Sequence, residues 1–301
     1  MLILHDPRCA EYGSDMRPEQ PMRVIKTAAH LRSAHPDWSW RVPAKPADDE
    51  TLRLAHSAAH LCRLSQPRDF DADTPYFPGI EDHARRAVAA AIDAAEHALD
   101  TKKPAFSLMR PPGHHATMDT AMGFCYLNQI AIAAVSVQRM LAGKQARTTP
   151  AKVAIWDFDA HHGNGTESIV RAREGLFFAS VHQYPGYPGT GTQDHGPHVR
   201  NWPVAPRTPR VDHMAALRSS LDAVVSYLPD LILVSAGFDA YARDPITAMT
   251  LEREDFATLG RWLRETGRPA AAILEGGYGE DLPLLIDAFL SAWNNSAQSA
   301  A

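Results

Sequence analysis

Residues 151–166, AKVAIWDFDAHHGNGT, decide both the fold and the position of the site in this 301-residue chain. The apolar run at 153–156 ends in acids and glycines, and a run this short predicts a buried parallel strand rather than a helix. Asp157, Asp159 and His161 stand at alternate positions, so an extended backbone points their side chains the same way. Carboxylates and imidazole suit zinc or a similar divalent ion. The stretch therefore predicts a metal site at the strand end; the simpler alternative is that the acids only cap the next helix.

The overall composition disfavours several classes of protein. With 45% hydrophobic residues, the chain has enough apolar side chains for the core of one large domain. The net charge of −5 disfavours a broad nucleic-acid-binding surface. Three widely spaced cysteines disfavour a disulfide scaffold and favour a reducing compartment. We find neither a signal-peptide segment nor an apolar run of about 18 residues, so we expect a cytoplasmic protein that does not span a membrane.

Predicted strands and helices alternate along the chain. Short apolar runs predict strands at residues 1–5, 105–109, 153–156, 176–182, 231–235 and 270–274. Periodic or alanine-rich segments predict helices that begin at 18–21 and that cover 48–66, 81–99, 124–140, 211–227, 252–265 and 282–293. Loops are expected at 36–46 and 69–79, and a polar hairpin or linker at 143–150. The pattern predicts an α/β fold, with one domain over 1–301, a mostly parallel β-sheet flanked by helices on both faces, and a polar tail from about 294.

Polar residues follow five of the predicted strands, and the carboxyl ends of parallel strands share one edge of a sheet. Asp159, His161 and Asp239 are the best candidate metal ligands. Two carboxylates and one imidazole leave a coordination position open for water and a substrate carbonyl. His114 and His115 could supply a general base and a general acid. The sequence therefore predicts a catalytic cleft at this edge.

Three further residues complete the predicted cleft. The two histidines need partners that fix their tautomers, and Asp157 and Asn164 are the candidates. Tyr278 follows two glycines, and a tyrosine on such a turn can donate a hydrogen bond to a developing oxyanion. A His-His pair, a strand-end acid or a Gly-Gly-Tyr turn often has only a structural role. Their joint occurrence in one chain favours catalysis.

With these motifs in place, the sequence resembles the histone deacetylase family, and within it the class II-like bacterial deacetylases. The matching motifs are RPPGHH (110–115), DFDAHHGNG (157–165), PGTG (188–191), SAGFDA (235–240) and EGGY (275–278), in family order. The resemblance covers most of the chain, from about residue 18 to 279. It implies the arginase/deacetylase fold and zinc-dependent hydrolysis of an amide.

The resemblance also implies roles for individual residues. The implied ligands of one catalytic zinc ion are Asp159, His161 and Asp239. The implied catalytic residues are His114, His115 and Tyr278, supported by Asp157 and Asn164. A structural potassium ion is implied at Asp157, Asp159, His161, Ser180 and Val181. The implied substrate-binding residues are Asp73, Gly123, Phe124, Tyr187, Ile246 and Gly277.

Two details refine the resemblance. Asn164 stands where class I members have an aspartate, and a neutral amide supports an imidazolium less well than a carboxylate does. The division of acid and base roles between His114 and His115 therefore stays open. The additional acids that a second metal ion would need, as in the arginases of the same fold, are missing after His161 and Asp239. One metal ion is expected.

Three functions are compatible with this sequence. The first is an amidohydrolase that removes acetyl or other acyl groups from Nε-acyl-lysine side chains of a protein or peptide. The second is an acetylpolyamine amidohydrolase, although Ile246 is apolar at a rim position where polyamine-selective relatives often carry an acid. The third, less favoured, is a non-catalytic protein that binds acyl-lysine. The sequence does not indicate the oligomeric state.

Overall fold

The computed structural model describes residues 1–144 and 151–295. Its strands are β1 (Leu2–Leu4), β2 (Ser39–Arg41), β3 (Ala105–Ser107), β4 (Val153–Asp157), β5 (Leu176–Gln183), β6 (Val199–Val204), β7 (Leu231–Ala236) and β8 (Ala270–Leu274). They form one sheet in the order β2-β1-β3-β8-β7-β4-β5-β6. Every pairing in this sheet is parallel, as the alternation of strands and helices predicted.

The helices cover both faces of the sheet and connect most successive strands, except β5 and β6, which a loop joins. A short 3₁₀-helix (Pro7–Ala10) precedes α1 (Met22–Ala34), and the others are α2 (Asp49–Leu52), α3 (Ala58–Leu64), α4 (Ile80–Thr101), α5 (Gln129–Lys144), α6 (Asn164–Val170), α7 (Arg210–Ser226), α8 (Arg253–Glu265) and α9 (Leu282–Asn294). Helices α4 and α5 pack together, and α9 packs against both α8 and α1. The predicted α/β class is confirmed. No helix in the described ranges is long and apolar enough to cross a membrane.

Strand β4 lies in the interior of the sheet between β5 and β7. All five of its residues are buried, which explains why its sequence is a continuous apolar run instead of an alternating one. On one face, the indole N–H of Trp156 donates to the hydroxyl of Ser220 in α7 at 2.9 Å. The next residue, Asp157, points to the opposite face because side chains alternate along a strand. The Asp157 side chain therefore lies buried at the C-terminal end of β4.

The structure differs from the predicted elements at two edge strands, at two helix boundaries, and in the 3₁₀-helix and α6, two short helices that were not predicted. Strands β2 and β6 were not predicted, because both are edge strands with partly exposed side chains and no long apolar run. The predicted helix at 48–66 is divided into α2 and α3, because the Ser57 side chain caps a new helix by accepting the N–H of His60. Helix α5 begins at Gln129 instead of 124, since Phe124 has a positive φ of 67° and Asn128 accepts the N–H of Ala131. Most of the predicted linker at 143–150 and most of the tail lie outside the described residues, and the single-domain boundary stays a prediction.

Candidate active site

The carboxyl ends of the central strands bring the predicted residues together. Asp157, the last residue of β4, pairs with Ser180 of β5 on one side and Ser235 of β7 on the other. The segment after β4 carries Asp159 and His161, and the segment after β7 carries Asp239. The segments after β3 and β8 carry the two adjacent histidines and the Gly-Gly-Tyr turn. The sheet edge therefore collects side chains that are far apart in sequence.

Asp159, His161 and Asp239 form a compact group at this edge. Each offers one potential ligand atom, and these three atoms all lie within 4.8 Å of one another. His161 Nδ1 is 3.1 Å from Asp159 Oδ1 and 2.9 Å from Asp239 Oδ2. Backbone groups fix both carboxylates: the N–H of Gly276 donates to Asp159 at 2.7 Å, and the N–H of Ala160 donates to Asp239 at 2.8 Å. The orientation of the group is therefore set by the strand ends.

The surroundings of this group fit a small cation. Both carboxylates are fully buried, and two buried negative charges so close together need a compensating positive charge. Gly276 packs directly against them, since a Cβ atom there would lie 2.2 Å from Asp239 Oδ2 and 2.5 Å from Asp159 Oδ2. Burial lowers the pKa of His161, but the Asp239 and Asp159 carboxylates outweigh it and hold that pKa well above its usual value. Two carboxylates and one imidazole are a donor set that suits zinc.

The adjacent histidines His114 and His115 have different partners. Nδ1 of His114 lies 3.0 Å from the Asp157 carboxylate. Nδ1–H of His115 donates to the side-chain oxygen of Asn164 at 2.8 Å, which leaves Nε2 of His115 as an acceptor. Their ring centroids are 4.1 Å apart.

These partners drive the two imidazole pKa values in opposite directions. Burial lowers the pKa of His114, but the carboxylates of Asp159 and Asp157 outweigh it and raise that pKa to about 10. Burial, together with the positive charges of His114 and His161, lowers the pKa of His115 well below its usual value. At neutral pH the pair thus contains a protonated His114 and a neutral His115.

Tyr278 lies on the turn after β8 and faces the same cleft. Its ring is flanked by the Arg23 guanidinium, 4.7 Å from the ring centroid, and by the Phe124 ring at 5.7 Å. Its backbone N–H donates to Asp244 Oδ2 at 2.8 Å. Arg23 Nε donates to the carbonyl of Gly277 at 2.7 Å, so the turn is held from both sides. Burial raises the pKa of Tyr278 well above its usual value, and its hydroxyl stays a hydrogen-bond donor.

A pocket of about 280 Å³ opens onto these residues. Its lining includes His115, His161, Tyr278 and five of the six predicted substrate-binding residues, namely Asp73, Gly123, Phe124, Tyr187 and Ile246. Position 123 in the pocket wall requires a glycine, because a Cβ atom on Gly123 would lie 2.6 Å from His115 and 2.9 Å from Tyr187. Gly277, the sixth, is buried behind the pocket and is not part of the lining.

The residues of the predicted potassium site are also neighbours. Asp157 and Ser180 lie directly opposite each other in β4 and β5, and Val181 follows in β5. Asp157 Oδ1 accepts the backbone N–H of Asp159 at 3.1 Å. The Ser180 hydroxyl lies 2.9 Å from Nδ1 of His182. Carboxylate and hydroxyl oxygen atoms thus lie beside the predicted metal ligands, and the potassium ion stays a prediction.

Comparison with known proteins identifies the family. The model of the histone deacetylase domain matches residues 17–291. The chain belongs to the histone deacetylase family. It is 39% identical over 217 residues to an acetylpolyamine amidohydrolase of Mycoplana ramosa, covering 69% of this chain and 61% of that protein. It is 36% identical to a histone deacetylase-like amidohydrolase of Pseudomonas aeruginosa, covering 79% of this chain and 66% of the relative. The solved HDA15 HD domain superposes with a TM-score of 0.87 at 26% identity, covering 98% of this chain and 91% of that one.

The predicted resemblance is therefore confirmed, and family membership makes the chain an amidohydrolase of the deacetylase class. Sequence motifs did not reveal every residue that builds this deacetylase-family site. Arg17 and Pro18 line the pocket, and Asp244 and Glu275 support the turns that carry the candidate catalytic groups. The Glu275 carboxylate accepts the backbone N–H groups of Gly113 at 2.7 Å and of His114 at 3.1 Å. The sequence places Glu275 in the EGGY motif, but the motif does not indicate that the Glu275 side chain contacts the turn that carries His114.

A buried ionic network connects three parts of the deacetylase-family site. Arg110 is fully buried and donates from Nε and Nη2 to the two Glu19 oxygens, at 2.5 and 2.7 Å. Arg23 Nη1 lies 3.3 Å from the same carboxylate and also holds the Tyr278 turn. Glu19 thus joins the segment before α1, the segment leading to the histidine pair and the segment leading to the tyrosine.

Glu19→Gln is expected to destabilise the protein by about 3 kcal/mol or more, because it leaves the Arg110 guanidinium buried without a counter-charge. Urea denaturation of the variant and the wild type measures the change in the free energy of unfolding. Glu280→Gln is the matched control, since Glu280 forms its ion pair with Lys26 at the surface, where its side chain is 84% exposed. Equal stability of the Glu19 variant and the control would contradict a structural role for the network.

Proposed function

We propose that the protein is a zinc-dependent deacylase that removes acetyl or other acyl groups from Nε-acyl-lysine side chains. The observation that carries the proposal is the pocket itself. The candidate ligand His161, a neutral histidine and a protonated tyrosine line it together with aromatic and apolar side chains, and the other two candidate ligands lie next to His161. Such a pocket accommodates a lysine stem and directs polar groups at its terminal amide.

Asp159, His161 and Asp239 would hold the ion. When bound, zinc polarises the amide carbonyl and lowers the pKa of a water molecule. His115 then accepts a proton from the attacking water at Nε2, because Nδ1 is occupied by Asn164. Protonated His114, paired with Asp157, stabilises negative charge in the transition state, and Tyr278 donates its O–H to the oxyanion of the tetrahedral intermediate.

The protein also supplies the proton that the leaving group needs. The proton taken up by His115 passes to the departing lysine nitrogen as the carbon–nitrogen bond breaks. The products are the lysine ammonium group and a carboxylate, which together contain the atoms of the amide and one water molecule.

Asp157, Asp159, His161, Ser180 and Val181 are proposed to hold a potassium ion that stabilises this edge of the sheet.

Asn164→Asp is expected to shift the pH dependence of the reaction. A carboxylate hydrogen-bonded to His115 favours the imidazolium and so raises the pKa of this histidine. Because the general base must be unprotonated, the acidic limb of the kcat/KM profile should move to higher pH, by roughly one unit. Steady-state kinetics from about pH 4 to about pH 9 tests this, because burial already lowers the pKa of His115 in the wild type well below its usual value. An unchanged acidic limb would contradict the assignment of His115 as the base.

The second candidate is hydrolysis of acetylpolyamines. It is supported by the 39% identity to the Mycoplana ramosa acetylpolyamine amidohydrolase. We favour acyl-lysine because Ile246 in the pocket lining is apolar and because Arg17 offsets the charge of Asp73, so these two side chains give no net attraction for the further ammonium groups of a polyamine. Three free cysteines, of which Cys62 is exposed, are consistent with the cytoplasmic location that we propose.

A small substrate panel tests the proposal. Acetyl-, trifluoroacetyl- and longer-acyl-lysine peptides are compared with acetylpolyamines, with and without a chelator and with zinc restored. We expect chelator-sensitive hydrolysis of the lysine peptides. Turnover of acetylpolyamines alone would replace the first function with the second. Stoichiometric zinc without any hydrolysis would favour an acyl-lysine-binding protein instead.

A further inference from the structure

Arg17 places a positive charge in the lining of the active-site pocket. It lines the same pocket as His115 and Tyr278, and it is partly exposed. Its Nη1 donates to the carbonyl oxygen of Ala72 at 3.0 Å, which holds the guanidinium beside the segment that carries Asp73. The next residue in the chain is a proline that also lines the pocket, and it restricts the backbone at this position. The cation is thus anchored at the rim.

Two acids close to Arg17 in the chain or in the neighbouring loop are engaged elsewhere, whereas the carboxylate of Asp73 lies in the pocket lining with it. The Glu19 carboxylate is bound by two buried arginines. Oδ1 of Asp71 accepts the backbone N–H groups of Asp73 at 3.0 Å and of Thr74 at 2.6 Å. Within residues 1–144 and 151–295, no carboxylate forms an ion pair with Arg17. Because a guanidinium has five N–H donors, most of its capacity is free for a substrate.

Two opposite charges and apolar surface share the lining of the pocket. Arg17 is hydrogen-bonded to the residue before the exposed Asp73, and Tyr187 and Ile246 provide aromatic and apolar surface that is 39% and 37% exposed. A substrate whose acyl group reaches the buried base of the pocket leaves its other end at the mouth of the pocket. A carboxylate at that end can form a bidentate pair with the Arg17 guanidinium, whereas an ammonium there would be repelled by Arg17 and attracted by Asp73. The sign of the substrate preference therefore shows which of the two side chains contacts the substrate end.

We propose that Arg17 is a specificity-determining residue that selects acyl-amine substrates with a carboxylate at the end remote from the scissile amide. The inference rests on the proposed deacylase function and narrows its substrate class. The carboxylate could be the α-carboxylate of a free Nε-acyl-lysine or an acidic side chain beside the acyl-lysine of a peptide. Acetylpolyamines lack such a group.

The test compares substrates that differ in this group alone. Nε-acetyl-lysine and N-acetylcadaverine differ only by the α-carboxylate, and two peptides differ only by aspartate or asparagine beside acetyl-lysine. For the zinc-loaded wild type we expect kcat/KM to be roughly tenfold higher for the carboxylate-bearing member of at least one pair. Arg17→Gln should bring that ratio close to one, and Arg17→Glu should invert it. The pair that responds identifies the source of the carboxylate.

A matched control and two contrary outcomes complete the test. Arg218→Gln removes another partly exposed arginine, on α7, and should leave the ratio unchanged. Turnover without a preference in both pairs for the wild type, or a preference that Arg17→Gln does not change, would overturn the role of Arg17 but leave the deacylase function standing. Absence of any zinc-dependent turnover would overturn both.

Discussion

Asp239→Asn is expected to abolish stoichiometric zinc binding and to reduce kcat/KM for an acetyl-lysine peptide roughly 10³-fold or more, since the metal contributes several kcal/mol to transition-state stabilisation. Asp239 is fully buried, and its Oδ2 lies 2.9 Å from Nδ1 of His161. The substitution removes the charge but keeps the size, and the side-chain oxygen can still accept the N–H of Ala160. Elemental analysis of the purified variant and steady-state kinetics measure the two effects.

Stability of the metal-free protein separates a site effect from unfolding. Burial and the neighbouring Asp159 carboxylate raise the pKa of Asp239, so its charge costs free energy when no cation is bound. Metal-free Asp239→Asn should therefore be at least as stable in urea as the metal-free wild type. Asp222→Asn, at an exposed position of α7, is the control and should keep zinc and turnover. Full zinc content in the Asp239 variant would contradict its role as a ligand.

Tyr278→Phe is expected to reduce kcat roughly 10²- to 10³-fold while zinc content stays that of the wild type. The change removes only the hydroxyl, which we propose donates to the oxyanion. The ring remains between the Arg23 guanidinium and Phe124, and the turn remains held by the bond from its N–H to Asp244. The effect should therefore appear in kcat more than in KM, because the donated bond is strongest in the transition state.

The matched control is Tyr227→Phe. Tyr227 ends α7 and stacks on Phe177 at 5.0 Å, so the control removes a phenolic hydroxyl away from the pocket. Its turnover should equal that of the wild type. Near-wild-type turnover of Tyr278→Phe at full zinc content would exclude Tyr278 as the oxyanion donor and shift this role to the metal and His114.

The sequence by itself determined the fold class and the family. The apolar run of β4 is buried on both faces of the sheet, and this local pattern suffices to predict a parallel strand. Edge strands β2 and β6 escaped prediction because their exposed residues lack such a pattern. The helix boundaries at Ser57 and Asn128 depend on side-chain caps, which are local but easily overlooked within apolar segments.

The sequence also indicated which side chains gather at the sheet edge, because parallel strands end together. Only the tertiary structure decided what supports them. Arg23 on α1 contacts the Tyr278 turn, and Glu275 binds the turn of the histidine pair, across long separations that no local pattern encodes. Tertiary packing likewise set the pKa values of His114 and His115 apart, since burial and nearby carboxylates act through space. The position of Arg17 at the pocket rim has the same origin, because it depends on a hydrogen bond to Ala72, on a loop distant in the chain.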